Sequence, residues 1–263
     1  MTSRRLLLQS VAAGSALLLF GCSRIEPSET LRYRITVEVE TPVGIKTGSS
    51  VWEYKITDIK IGFSSWSQDY RGEAVAVDLP NGRTLFALLK SGDGFPEYPQ
   101  DVIRQKLIQT PEFKADYERA FLTVFPEWRS RRETWIVPAE LLPFAQGEKP
   151  RSGYPLLVTF RDRADPASAE RVNPQDLGTA FGNGYRLKSI SITVTDEPVT
   201  DGIVRRQEWF RKAKKSGGGL IPMERTVVDG MTRYKPVPGH DAALRGVGLS
   251  DFSRESSMLA GVL

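Results

Sequence analysis

The chain of 263 residues has one cysteine, one histidine and four methionines. A lone cysteine excludes an intrachain disulfide and any multi-thiolate metal site, so stability has to come from a packed core. The lone imidazole is His240, within Pro238-Gly239-His240-Asp241. One His and one Asp fall short of a zinc ligand set, and His240 reads as an exposed loop residue. Neither sign of charge dominates: Lys and Arg number 36 against 32 Asp and Glu. That balance excludes the basic footprint of a nucleic-acid binder, and no nucleic-acid partner is expected. Walker loops, Rossmann glycine patterns and Gly-x-Ser-x-Gly elbows are also missing.

The cysteine that is there stands at Cys22, after Leu19-Phe20-Gly21. Arg4 and Arg5 form a positive leader and Leu6 to Phe20 an apolar run, followed by a small residue. The stretch resembles a bacterial lipoprotein signal peptide, which implies removal of residues 1–21 and acylation of Cys22. Phe20 is a looser fit to that pattern. The alternative is an uncleaved transmembrane helix, but Leu6 to Phe20 is short against the roughly 20 residues of a span. Ser3-Arg4-Arg5-Leu6-Leu7-Leu8-Gln9 also resembles the twin-arginine export signal, and the residues leave the two export routes open. Ser23 after the cysteine resembles the pattern for outer-membrane sorting in enteric bacteria. The resemblance implies an exported protein held by lipid, at the outer membrane facing the periplasm, with no cofactor beyond the covalent lipid. Residues 22–30 then form a tether whose reach from Cys22 to Leu31 is at most about 30 Å.

With 40% hydrophobic and 26% charged residues, the body has the composition of an ordinary globular domain. Residues 31–215 are expected to form one α+β domain, a mainly antiparallel sheet packed on one or two helices, with 216–263 a flexible or draped tail. Leu31 to Glu40 alternates apolar and polar residues, the mark of a strand with one wet face. Thr41 to Gly44 reads as a turn and Val51 to Ile61 as the returning strand. A second hairpin is predicted through Glu73–Val77 and Thr84–Leu89. Its turn at Asn81-Gly82 is expected to take positive φ at both residues, and its unbroken apolar arms suggest the heart of the sheet.

Helix signals follow. Gln100 to Ile108 predicts a short helix. Thr110 as cap, Pro111, and Phe113, Tyr117, Ala120, Phe121 and Val124 at spacings of three and four predict another with one aromatic stripe facing the core. Leu156–Phe160 and Lys188–Val194 fit strands, with a short helix between Asn173-Pro174 and Gly182. Tyr185 and Leu187 stand out of phase with Ile190, Ile192 and Val194, which predicts a bulge near Lys188-Ser189. The runs Thr36–Pro42, Thr47–Val51, Asp78–Gly82, Pro155–Asp162 and Glu170–Pro174 resemble a family of uncharacterised bacterial proteins, which implies no activity and no site residues.

Two basic and aromatic clusters are the candidate contacts with headgroups or a partner: Arg129, Arg131, Arg132 and Trp135 in the first, Arg205, Arg206, Trp209, Arg211 and Lys212 in the second. The competing reading of each is a solvated face. Asp69 with Glu73, or Asp93 with Glu97, could form an acid and base pair, although a solvated turn also explains the latter. The expectation is a membrane-anchored envelope lipoprotein, a non-enzymatic binding or assembly component contacting the membrane and another envelope protein. The alternative is a tethered carboxylate-dependent hydrolase acting on an envelope glycan.

Overall fold

A computed structural model describes residues 27–61, 64–116, 119–143, 147, 149–206, 219–229, 231–240, 244 and 246–254. The chain opens with three long strands, β1 (Ser28–Thr41), β2 (Gly44–Ile61) and β3 (Ser64–Glu73), then β4 (Val75–Asp78) and β5 (Thr84–Ser91). Helices α1 (Tyr98–Leu107), α2 (Pro111–Ala115) and α3 (Ala120–Arg131) follow, then β6 (Thr134–Ile136), β7 (Glu140–Leu141), β8 (Arg151–Ser152), β9 (Pro155–Phe160) and β10 (Ala169–Val172). The remaining elements are α4 (Gly178–Phe181), β11 (Arg186–Val194), α5 (Ile203–Arg206), β12 (Met223–Val228), β13 (Met231–Pro236) and β14 (Ser253–Arg254). The α+β class predicted from the sequence is the class observed.

The apolar residues of β1, Leu31, Tyr33, Ile35, Val37 and Val39, are all fully buried. Each such side chain is worth about 1.5–3 kcal/mol of transfer free energy. β1 pairs antiparallel with β2 on one side and β11 on the other. The returning strand is longer than predicted, because it starts at Gly44 directly opposite Thr41. The predicted bulge is present: Glu38 faces Ser189 and Val39 faces Leu187, leaving Lys188 as the extra residue. That one insertion puts Ile190, Ile192 and Val194 into the core in phase with Val37 and Val39.

The second hairpin is not the heart of this sheet. The six-stranded sheet runs β14-β3-β2-β1-β11-β6, and a separate four-stranded sheet runs β10-β9-β5-β4, with β4 at its edge. The second sheet is buried on both faces. Leu85, Ala87 and Leu89 of β5 join the main core, while Phe86 and Leu88 join a second one. This is the physical reason for the unbroken apolar run. At Gly48 of β2 the two sheets nearly touch: a Cβ there would lie 2.9 Å from the carbonyl carbon of Ala76 and nearer still to its oxygen.

The Asn81-Gly82 turn also differs from expectation. Gly82 alone has positive φ, and the loop spans five residues between Asp78 and Thr84. Leu79 spends its main chain closing that loop, accepting from the Gly82 N–H at 3.0 Å and donating to the Arg83 carbonyl at 2.9 Å.

α1 occupies the predicted segment, and Thr110 caps α2 by accepting from the Phe113 N–H at 3.2 Å. The single striped helix is corrected to two. The Asp116 side chain accepts from the Arg119 N–H at 3.2 Å, a local bond that competes with helix continuation. α2 buries none of its residues, whereas α3 buries Ala120, Phe121, Val124, Phe125 and Trp128. Tyr117 lies outside the described residues. The helix expected from Asn173 shrinks to α4, because Asn173 and Asp176 form a bridge first.

Parts of the described tail dock on the domain, while β12 and β13 pair with each other and expose Val227, Met231 and Tyr234. Leu220, Ile221, Leu244, Val247 and Phe252 cover the outer face of the four-stranded sheet, and Phe252 stacks 5.8 Å from Phe86 and 6.1 Å from Phe160. β14 then pairs with the end of β3, so the six-stranded sheet includes residues from beyond 216. Among the described residues no helix is long and apolar enough to cross a membrane.

Candidate functional site

The first basic cluster is internally compensated. Arg129 Nη2 pairs with Glu29 at 2.7 Å and its Nη1 donates to the Thr30 carbonyl at 2.6 Å, which fastens α3 to the start of β1. Arg131 pairs with Glu127 one turn earlier at 2.7 Å, and Arg132 with Asp196 at 3.2 Å. Trp135 is half-buried against Trp128 at 5.6 Å, with the Lys106 ammonium 5.8 Å from its ring. The cluster is therefore braced to acids of its own domain. Exposed pairs of this kind are worth only about 0–1 kcal/mol, so Arg131 and Arg132 exchange partners at little cost.

Of the second cluster, Arg205 pairs with Asp201 at 3.3 Å and Arg206 ends α5. Trp209, Arg211 and Lys212 lie outside the described residues, as does Cys22.

Arg205 lines a groove of about 450 Å³ together with Arg71, Glu73, Thr200 and Arg254. Its walls come from distant segments. β3 supplies Arg71, which pairs through Nε with Glu53 at 2.8 Å, while Arg32 holds the other Glu53 oxygen at 2.6 Å. Burial tends to raise the Glu53 pKa, yet the hydrogen bonds from Arg71 and Arg32 outweigh it and hold the carboxyl below its ordinary value. β14 supplies Arg254, whose guanidinium lies 4.2 Å over the Tyr70 ring and donates to the Tyr70 hydroxyl at 2.7 Å. Thr200 is fixed by two bonds to Val51, accepting from its N–H at 2.7 Å and donating to its carbonyl at 3.1 Å. Sequence inspection found Arg205 and Glu73 but missed Arg71 and Arg254, whose only joint signal is the pairing of β14 with β3.

Asp69 and Glu73 stand four positions apart on β3. Glu73 Oε2 accepts from the N–H groups of Gly202 at 2.5 Å and Ile203 at 2.7 Å, so it braces the start of α5. Asp69 is buried on the same strand beside Lys55 of β2. Asp93 accepts from the Ser91 hydroxyl and from the Ser152 N–H at 2.9 Å, and Glu97 is exposed at the start of α1. This is the solvated turn. His240 binds the Val237 carbonyl through Nδ1 at 2.9 Å, and Asp241 lies outside the described residues.

Asp101 is the carboxylate the sequence did not single out. Burial pushes its pKa up to about 6, against the opposing pull of Arg151, whose Nη1 lies 3.3 Å away. Arg151 in turn covers the Phe95 ring at 4.2 Å.

A second feature lies at the far edge of the six-stranded sheet. β6 is its last strand, and Val137 N–H to Ile190 and Val194 N–H to Glu133, both 2.8 Å, mark the odd-numbered residues as those bonded inward. By alternation the main-chain groups of Thr134 and Ile136 face away from the sheet. Beside them a groove of about 240 Å³ is lined by Val102, Gln105, Trp135, Val137 and Leu141. The Gln105 side chain is buried there, and its Oε1 has no hydrogen-bond partner among the described residues. Ile136 is 63% exposed at the rim. No protein-family model, no curated protein and no solved structure matches the chain.

Proposed function

We propose that this protein is a membrane-anchored envelope lipoprotein, acylated at Cys22, that serves as a non-enzymatic binding component for another envelope protein. The observation that carries the binding role is the outward-facing edge of β6 beside a groove lined by the apolar Val102, Trp135, Val137 and Leu141 together with the polar Gln105, Lys106 and Gln109. The occupant that fits is an extended segment of a partner protein, added as a strand along Thr134–Ile136. One of its apolar side chains fills the groove.

The tethered-hydrolase alternative calls for two carboxylates facing one cleft. Asp101, the carboxyl with the acid-like pKa, faces Arg151, and Glu73 is held by backbone N–H groups.

The binding role is tested by a photo-crosslinking residue at position 136 in intact cells, with position 186, on β11 outside the residues that pair with β6, as control. A discrete adduct from position 136, and none from position 186, is expected. Identical adducts from both positions, or none, would sink the assignment of the β6 edge. The anchor is tested separately by Cys22→Ser with membrane fractionation and mass measurement of the N-terminus. A variant still membrane-bound and uncleaved would restore the transmembrane alternative.

A further inference from the structure

We infer that the β12–β13 hairpin is a second membrane contact, an amphipathic ribbon that lies with one face on an anionic lipid surface. This rests on the proposed acylation of Cys22, which keeps a bilayer within reach. β12 and β13 form a two-stranded sheet of their own. None of its described side chains is buried, and all but that of Thr226 are exposed. A lone two-stranded hairpin is marginal in water, so this one gains order from what covers it.

The register decides what each face offers. Arg225 lies opposite Tyr234 and Val227 opposite Thr232, and directly opposed residues share a face, so Met223, Arg225, Val227, Thr232 and Tyr234 stand on one side. That side carries three of the four large apolar residues that the hairpin exposes, Met231 being on the other. It carries one cation and no acid. Glu224 stands on the opposite side, directly across from Lys235, and Asp229 occupies the turn with φ +51°.

The cations of the ribbon are uncommitted. Arg129, Arg131 and Arg132 are each braced to an acid of the domain, whereas Arg225 and Arg233 have no acid partner among the described residues. Arg225, Arg233 and Lys235 leave a positive surplus over Glu224 and Asp229. Arg233 and Lys235 stand on the far side, but one sheet is thin against a Debye length of about 8 Å, so they still feel an anionic surface.

A lipid surface suits this face better than a protein pocket does. Met223, Val227 and Tyr234 are spread along the ribbon with Arg225 between them, not clustered into the single anchor that dominates protein interfaces. The headgroup boundary accommodates dispersed apolar residues, a snorkelling cation and a ring with a polar tip. A second copy's identical face would bring another arginine and no acid to meet Arg225. The base of the ribbon is fixed: Ile221 is buried in the second core, the Val237 N–H donates to the Pro222 carbonyl at 3.0 Å, and His240 Nδ1 binds the Val237 carbonyl at 2.9 Å.

The test places an environment-sensitive dye on an introduced cysteine in the full chain, reconstituted into vesicles of phosphatidylcholine with or without phosphatidylglycerol. An acylated Cys22 takes no dye. Uptake of dye by the native chain overturns the anchor alone, and its signal is then the baseline from which each variant is read. The label at Val227→Cys is expected to shift to the blue and to be quenched by brominated acyl chains, more so with phosphatidylglycerol, while the label at Glu224→Cys stays as in water. Adding Arg225→Gln to Val227→Cys lowers the ratio of lipid-bound to free ribbon about fivefold. A label at 227 that stays as in water, equal quenching at 227 and 224, or no response to phosphatidylglycerol overturns the assignment. A shift that grows with the protein-to-lipid ratio gives the face to a second copy and overturns it too. Thermal melting checks that each variant keeps its fold, and Thr232→Cys, on the same face, repeats the reading if Val227→Cys does not.

Discussion

Glu73 and Ile203, 130 positions apart, meet through a hydrogen bond of 2.7 Å from the Ile203 N–H to Glu73 Oε2, and the same oxygen accepts from Gly202. This one carboxylate ties the start of α5 to the end of β3. Hydrogen bonds to a charged acceptor are worth about 1.5–3 kcal/mol. Glu73→Ala is therefore expected to lower stability by about that amount, and Glu73→Gln, which keeps one acceptor, by less. Urea denaturation with an unchanged slope checks this. Equal stability of both variants and the native chain would free Glu73 from its structural role.

Gly48→Ala is expected to destabilise by about 1–3 kcal/mol or more, because the added methyl meets backbone rather than a movable side chain. The two sheets can relieve the clash only by separating. A melting temperature within a degree of the native value would show that the contact between Gly48 and Ala76 is loose.

Asp101 makes stability depend on pH in an uncommon direction. Its folded pKa of about 6 lies above the ordinary carboxylate value, so the folded state holds the proton more tightly than the unfolded chain. Its contribution is fully present below about pH 4 and is lost as pH rises through 6. Glu53, with a lowered pKa, works in the opposite direction at acid pH. The groups acting on Asp101 are Arg151, Glu97 and Arg104. Asp101→Asn removes the cost of ionising a buried carboxyl. It is expected to match the native chain near pH 4 and to gain stability towards pH 7, up to about 3 kcal/mol, a figure in which the pull of Arg151 is already included. Denaturation midpoints measured from pH 4 to 7 decide this, and parallel curves would refute the raised pKa.

Phe252→Ala should cost about 3–5 kcal/mol, since the ring is fully buried between Phe86 and Phe160. The loss would concentrate in the docked tail. Amide exchange at Leu220, which donates to the Val247 carbonyl at 3.0 Å, should accelerate well before that of β1. Uniform acceleration across both sheets would instead make the tail part of one cooperative unit.

The local features were legible in the residues themselves. Alternation from Leu31 to Val39, the phase slip at Lys188 and the Thr110 cap each depend on contacts within a few positions or along one strand. The break at Asp116 was also local, yet the aromatic stripe concealed it, because Phe113 and Phe121 lie at helical spacing across the interruption.

The sequence by itself determined that this is an α+β body with β1 alternating about one core and β5 apolar on both faces. It also determined that a single cysteine and a single histidine leave little room for thiol or imidazole chemistry. Only the tertiary structure decided which sheet β4 and β5 belong to, that the tail supplies the second cover over Phe86, and that β14 joins β3. The physical reason is sequence distance. Burial of a second apolar face can be inferred from composition, but the segment that covers it, and the joining of β14 to β3, are set by packing between residues up to 184 positions apart.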